Sequence, residues 1–203
     1  MAEHSDHDEI GGESPFALFD AWFAEARARE PNDPEAVALA TASGAGAPSL
    51  RMVLMKDHSP AGFVFYTNAE SRKGEELRGN PQAAMLFHWK SLRRQVRIEG
   101  KVEQVPEAMA DAYFASRSRD SQLGALASDQ SRPLSSRAAL LARIAKVTAR
   151  HLVGPIPRPD RWTGFRLVPG AFEFWLDRPF RIHERRRFER IPGGGWASTL
   201  LYP

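Results

Sequence analysis

The sequence contains no cysteine. Disulfides, thiolate metal sites and cysteine nucleophiles are therefore excluded. It also has no run of about 18 apolar residues, the length a membrane-spanning helix requires. Its first ten residues, MAEHSDHDEI, are acidic and polar and lack the basic-then-apolar order of a secretory signal. A cytoplasmic protein is the expectation. Equally missing are GxGxxG after a strand, GxxxxGK[ST], HExxH and GxSxG, so the common nucleotide folds, zinc proteases and α/β hydrolases find no support. With no metal-ligand set and no evident nucleophile, any redox chemistry has to come from an organic cofactor.

What is present suits one folded domain. The 203 residues are 42% hydrophobic and 26% charged, ordinary proportions for a globular protein. Residues 1–13 read as a mobile tail and 14–203 as a single domain. His4 and His7 stand among acids in that tail, where nothing nearby fixes a coordination geometry. A net charge of only +3 suits small anionic ligands at least as well as nucleic acid, and no base-reading motif accompanies it.

Ser14-Pro15 reads as a helix cap with proline at the first helical position, followed by Phe16, Phe19, Trp22, Phe23 and Ala26 at helical spacing. Strands are predicted over 36–43, 49–57, 62–68, 82–89 and 93–105, with a short helix capped by Ser71 between the third and fourth. Pro106 begins another helix. A polar connector over 118–132 then leads to a helix over 135–152. Strands over 161–168, 172–177, 181–191 and 196–201 follow, separated by Pro169-Gly170, Arg178-Pro179 and three consecutive glycines. About seven short strands with helices around them argue an α+β fold whose mostly antiparallel sheet closes into a small barrel.

Four stretches carry candidate chemistry. Arg51-Met52-Val53-Leu54-Met55-Lys56 puts a cation at each end of an apolar strand, and alternation points the two to opposite faces. One ligand meets both cations only where the strand ends at a rim or bulge near Lys56. Tyr66-Thr67 followed by Ser71-Arg72-Lys73 places two cations on a helix N-terminus, where they are electrostatically misplaced unless an anion binds. Tyr113, Arg117 and Ser121 recur every four residues and share a face if one helix carries all three. Arg181, His183 and Arg185 share a strand face, with Trp175 just before. Each stretch is equally compatible with a solvated basic surface when read alone.

Taken in order, Arg51–Lys56, Tyr66-Thr67, Arg72-Lys73, Gln95, Gln130-Ser131, Glu173-Phe174-Trp175 and Arg181-Ile182-His183-Glu184-Arg185 resemble the pyridoxine/pyridoxamine 5′-phosphate oxidase family, FMN enzymes with a split β-barrel. The resemblance runs from about Asp33 to the C-terminus. It implies a homodimer with FMN at the subunit interface. The implied cofactor contacts are Arg51, Met52, Val53, Leu54, Met55, Lys56, Tyr66, Thr67, Arg72, Lys73, Gln95, Gln130, Ser131, Trp175 and Arg185. It implies a substrate-phosphate site at Lys56, Tyr113, Arg117 and Ser121, catalytic Arg181 and His183 against the substrate ring, and an acidic Asp33 near the substrate. The implied reaction oxidises phosphorylated B6 vitamers with O2, without nucleic acid, membrane or metal. Related phenazine-pathway oxidases and non-catalytic binding modules are the alternatives. Departures from the family pattern are Leu176 for the usual glutamine, Phe180 for a small or polar residue, Ile182 for leucine, and Leu200 where an arginine usually begins the ending.

Overall fold

A computed structural model describes residues 10–203. His4, His7 and most of the expected tail lie outside the described residues, whereas Ile10 is buried in the core. The chain runs α1 (Pro15–Arg29), β1 (Ala36–Ala42), β2 (Pro48–Leu54), β3 (Asp57–Ser59), β4 (Gly62–Asn68), α2 (Arg72–Gly79), β5 (Gln82–Trp89), β6 (Arg94–Gln104), α3 (Glu107–Ser116), α4 (Arg119–Ala127), α5 (Arg137–Arg150), β7 (Trp162–Leu176), a short 3₁₀ turn (Pro179–Arg181), β8 (Glu184–Arg190) and β9 (Trp196–Leu200). No helix among the described residues is long and apolar enough to cross a membrane.

All nine strands form one antiparallel sheet with the path β2-β1-β5-β6-β7-β4-β3, while β8 and β9 extend from β7. The two ends of that path, β2 and β3, are joined in sequence by only Met55 and Lys56. So short a link forces the ends together and curls the sheet. The Lys56 N–H donates to the Val64 carbonyl at 2.8 Å, and the Met55 N–H to that of Glu35 at 3.0 Å. The strand therefore does end at a rim beside Lys56. Its apolar residues, however, are not all inside: Leu50, Met52 and Leu54 are exposed on one face of β2.

The barrel interior is aromatic. Phe63, Phe65, Phe87, Phe172 and Phe174 are fully buried, and α1 presses Phe19 and Trp22 onto them. Phe19 sits edge-on to Phe63 and Phe87, with ring centroids 4.8 and 5.2 Å away. Ser14 caps α1 as its position suggests, its Oγ accepting from the Ala17 N–H.

The structure corrects four expectations. Pro169-Gly170 does not divide two strands, because β7 runs through it for 15 residues with a register shift opposite Glu99 and Gly100. A bulge tolerates the proline's missing N–H, and a side chain at Gly100 would collide with the Val168 carbonyl. The 118–132 connector contains α4, capped by Ser118. That same cap ends α3 at Ser116, so Tyr113, Arg117 and Ser121 do not share one helix: Arg117 is extended at the corner between two. Arg181 and His183 precede β8, since Pro179 starts a 3₁₀ turn in which Phe180 and Arg181 have φ of 57° and 65°. We expect Phe19→Ala to destabilise the protein by about 3–5 kcal/mol. A chemical denaturation midpoint left unshifted would contradict this packing role.

Candidate active site

Two clefts collect most of the residues singled out above. The larger, about 800 Å³, is lined by residues of β2, Lys56, Tyr66, Thr67, Arg72, Lys73, Tyr113, Arg117, Ser118, Ser121, Gln130, Ser131 and Trp162. Five cations face it, and no carboxylate is among the described residues of its wall. The charge of two of them is balanced from beneath. Glu76, 7% exposed, pairs with Arg51 at 3.2 Å and with Arg72 at 2.9 Å, and accepts from Thr41 and Ser49 hydroxyls at 2.5 Å each. Burial alone would raise its pKa, but those hydrogen bonds outweigh it and hold the carboxyl down at about 2. Arg51 also donates to the Leu39 carbonyl at 3.2 Å, which fixes it against β1.

The other cations, Lys56, Lys73 and Arg117, have no carboxylate partner among the described residues. Lys73, 8% exposed, donates only to neutral groups, the Gln130 Oε1 at 2.7 Å and the Ser71 Oγ at 3.2 Å. Thr67 donates to the same Gln130 oxygen at 3.0 Å. Burial, aided by the nearby Arg51 charge, lowers Lys73 to about 8. Arg117 lies over Trp162, its guanidinium carbon 5.0 Å from the ring centroid, and one buried terminal nitrogen has no hydrogen-bond partner among the described residues. Burial lowers its pKa from the usual guanidinium value. Tyr66, Tyr113 and Trp162 form a cluster of near-parallel rings, the Tyr66 centroid lying 4.0 Å from that of Tyr113 and 5.2 Å from that of Trp162. A Cβ at Gly164 would lie 2.7 Å from the Tyr66 ring, so only glycine admits that stack. Burial chiefly raises both phenols, which keeps them protonated as donors.

The second cleft, about 570 Å³, is lined by Arg178–Ile182 residues other than Arg181, by His183, Glu184 and Arg185, and by Leu200 and Leu201. Next to it β-register aligns Gln95, Trp175 and Arg185 across three strands. Arg185 is clamped by buried Glu173 at 2.8 Å, and the His183 ring packs 4.7 Å from that of Trp175. Arg181 is exposed on the turn. Asp33 is exposed with a φ of 41° and lines neither cleft. The two clefts share no residue. Trp162 at the start of β7 lines the larger one, and Trp175 near its end packs against His183 of the second.

Sequence reasoning missed Glu76, Thr41, Ser49 and Trp162. Glu76 is four residues from Arg72, a spacing that hints at their ion pair. The other three acquire meaning only through strand register.

Comparisons with known proteins agree with this geometry. Residues 23–151 match the family profile described as pyridoxamine 5′-phosphate oxidase. The chain belongs to that family. Residues 162–203 match the profile described as the pyridoxine 5′-phosphate oxidase C-terminal dimerisation region. A pyridoxine/pyridoxamine 5′-phosphate oxidase of Novosphingobium aromaticivorans is 61% identical over 93% of this chain and 93% of its own. Another, of Sphingopyxis alaskensis, is 63% identical over 94% of this chain and 88% of its own. Among solved structures, PhzG from Burkholderia lata in complex with tetrahydrophenazine-1-carboxylic acid superposes with a TM-score of 0.89 at 35% identity, covering 95% of this chain and 94% of that one. An FMN-binding protein from Nostoc punctiforme shares the fold, with a TM-score of 0.75 at 17% identity over 94% of this chain and 98% of that one.

For this oxidase-family chain the Lys73 environment has a measurable sign. Above about pH 8 Lys73 loses its proton in the empty cleft, while a bound phosphate favours the charged form. Affinity for inorganic phosphate should therefore fall above pH 8, by up to about tenfold per unit, and Lys73→Met should abolish that slope in calorimetric titrations. A pH-independent affinity in the unsubstituted protein would refute it.

Proposed function

We propose that the protein is an FMN-dependent oxidase that converts pyridoxamine 5′-phosphate or pyridoxine 5′-phosphate to pyridoxal 5′-phosphate, with O2 as acceptor and hydrogen peroxide as co-product. The observation that carries this reading is the carboxylate-free cleft in which Lys56, Lys73 and Arg117 lack acidic partners among the described residues, in a chain about 60% identical to proteins of that name. Two phosphate-bearing ligands account for that surplus of positive charge better than one.

In this reading Arg51, Met52, Val53, Leu54, Met55, Lys56, Tyr66, Thr67, Arg72, Lys73, Gln130 and Ser131 hold FMN from one subunit, and Gln95, Trp175 and Arg185 hold it from the other. Lys56, Tyr113, Arg117 and Ser121 bind the substrate phosphate. Arg181 and His183, from the second half-site, orient the ring and its 4′ carbon. The match of residues 162–203 to a dimerisation region supports a homodimer, as do the exposed Leu50, Met52 and Leu54 on β2. The chemistry supplied by bound FMN is acceptance of a hydride and reoxidation by oxygen. The protein's own contribution is positional: fixed cations hold two phosphates so that two planar rings meet at reacting distance.

The phenazine-type reading draws on the 35% identical structure, and the substrate-phosphate residues Lys56, Tyr113, Arg117 and Ser121 favour the B6 reading over it. Anaerobic addition of pyridoxamine phosphate to the FMN-loaded protein should bleach the flavin absorbance, with recovery in air. Flavin that stays oxidised would sink the proposal. Arg117→Ala should raise the KM for phosphorylated substrate by about tenfold or more, because a charge-assisted hydrogen bond to phosphate is lost. The shared site has its own test. At substrate well below KM, Arg117→Ala and Arg181→Ala should each retain about a tenth of wild-type activity or less. The co-expressed chains should rise to about one quarter or more of wild-type activity, since mixed dimers regain one intact site. No recovery would place both residues in the same subunit's site.

A further inference from the structure

Asp177 follows directly on β7, and its N–H donates to the Arg93 carbonyl at 3.0 Å, so its backbone is fixed by the sheet. One carboxylate oxygen is paired with the Arg93 guanidinium. The other lies 2.8 Å from Nδ1 of His183, and both side chains are largely shielded, at 19% and 14% exposure. The Arg178 N–H also points at Nδ1, at 3.2 Å. Two protonation patterns compete for that nitrogen. A bare Nδ1 would accept from Arg178 but set its lone pair against a carboxylate lone pair at 2.8 Å, which is repulsive. A protonated Nδ1 gives the carboxylate a charge-assisted hydrogen bond, the stronger of the two interactions. The proton therefore belongs on Nδ1. Nε2 makes no hydrogen bond with any described residue, while the ring lines the second cleft beside Trp175.

We infer that Asp177 is a positioning residue that holds His183 in the Nδ1–H tautomer, so that Nε2 offers the substrate a hydrogen-bond acceptor. This rests on the proposed oxidase reading for its consequence, because the N–H or O–H on the carbon to be oxidised is the donor that such an acceptor suits. The charged groups packed around the pair are Arg93, Arg178, Glu184 and Arg185. Arg178 is itself drawn to Glu184 at 3.1 Å, which leaves Asp177 as the carboxylate facing the imidazole.

The test is the ¹⁵N spectrum of histidine-labelled, FMN-loaded protein at about pH 8, where the neutral tautomers and the imidazolium are distinguishable, with the His183 signal assigned by its loss in His183→Asn. The expected wild-type spectrum has the proton on Nδ1. Asp177→Asn, whose amide is uncharged and able to donate to Nδ1, should move the population toward Nε2–H. Its anaerobic flavin reduction should slow by about tenfold or more, through the same wrong-tautomer effect known for Asp-to-Asn changes beside catalytic histidines. Wild-type protein with Nε2 protonated overturns the inference, whether or not the variant folds. So does an Asp177→Asn protein whose tautomer and reduction rate are unchanged. An Nδ1–H wild type that B6 phosphates fail to bleach supports the Asp177–His183 geometry and refutes the oxidase reading instead.

Discussion

Like charges repel, and the larger cleft gathers five cations in a wall without a carboxylate. Much of the surrounding architecture answers that constraint. Glu76 is placed below the surface rather than in it, where it neutralises Arg51 and Arg72 without offering an approaching phosphate a negative neighbour. To hold a buried carboxylate there, β1 supplies Thr41, β2 supplies Ser49 and α2 supplies the glutamate itself. The packing of α2 against the sheet is thus inseparable from the electrostatics of the site. Buried charge is tolerable only when its hydrogen-bonding capacity is met, and here both oxygens of Glu76 are engaged.

The second organising element is the length of β7. A 15-residue strand pairs with β4 near its start, with β8 near its end and with β6 along most of it. It therefore runs from the cation-rich cleft at Trp162 to the neighbourhood of the imidazole-bearing one at Trp175. In the proposed dimer, two-fold symmetry would make two equivalent sites from the same pair of clefts.

Much of the fold was legible in the chain because its local signals agree: Ser14-Pro15 starts α1, Ser71 starts α2, and most alternating segments became strands with boundaries shifted by up to three residues. The strand expected over 49–57, however, ends at Leu54, and a separate β3 begins at Asp57. The failures have two causes. Pro169-Gly170 reads as punctuation, yet a bulge opposite Gly100 lets the strand continue. Tyr113, Arg117 and Ser121 have helical spacing, yet the Ser118 cap breaks the helix between them, and the three still meet at one cleft because the corner turns them inward. In the first case pairing distant in sequence overrode a local preference, and in the second one local signal, the Ser118 cap, overrode another. The pairing of Glu76 with Arg51, 25 residues away, and of Asp177 with Arg93, 84 residues away by subtraction of their numbers, lies beyond any local pattern.

The two-residue link at Met55 and Lys56 is where the sheet's ends are sewn together. It is also one wall of the larger cleft. A ligand held between Lys56 and the α2 cations would span that seam and act as a staple across it rather than as a passenger in a finished pocket. Occupancy and mechanical integrity are then one equilibrium: filling the cleft draws the population away from forms in which the seam has parted, and the melting temperature becomes a reading of ligand concentration.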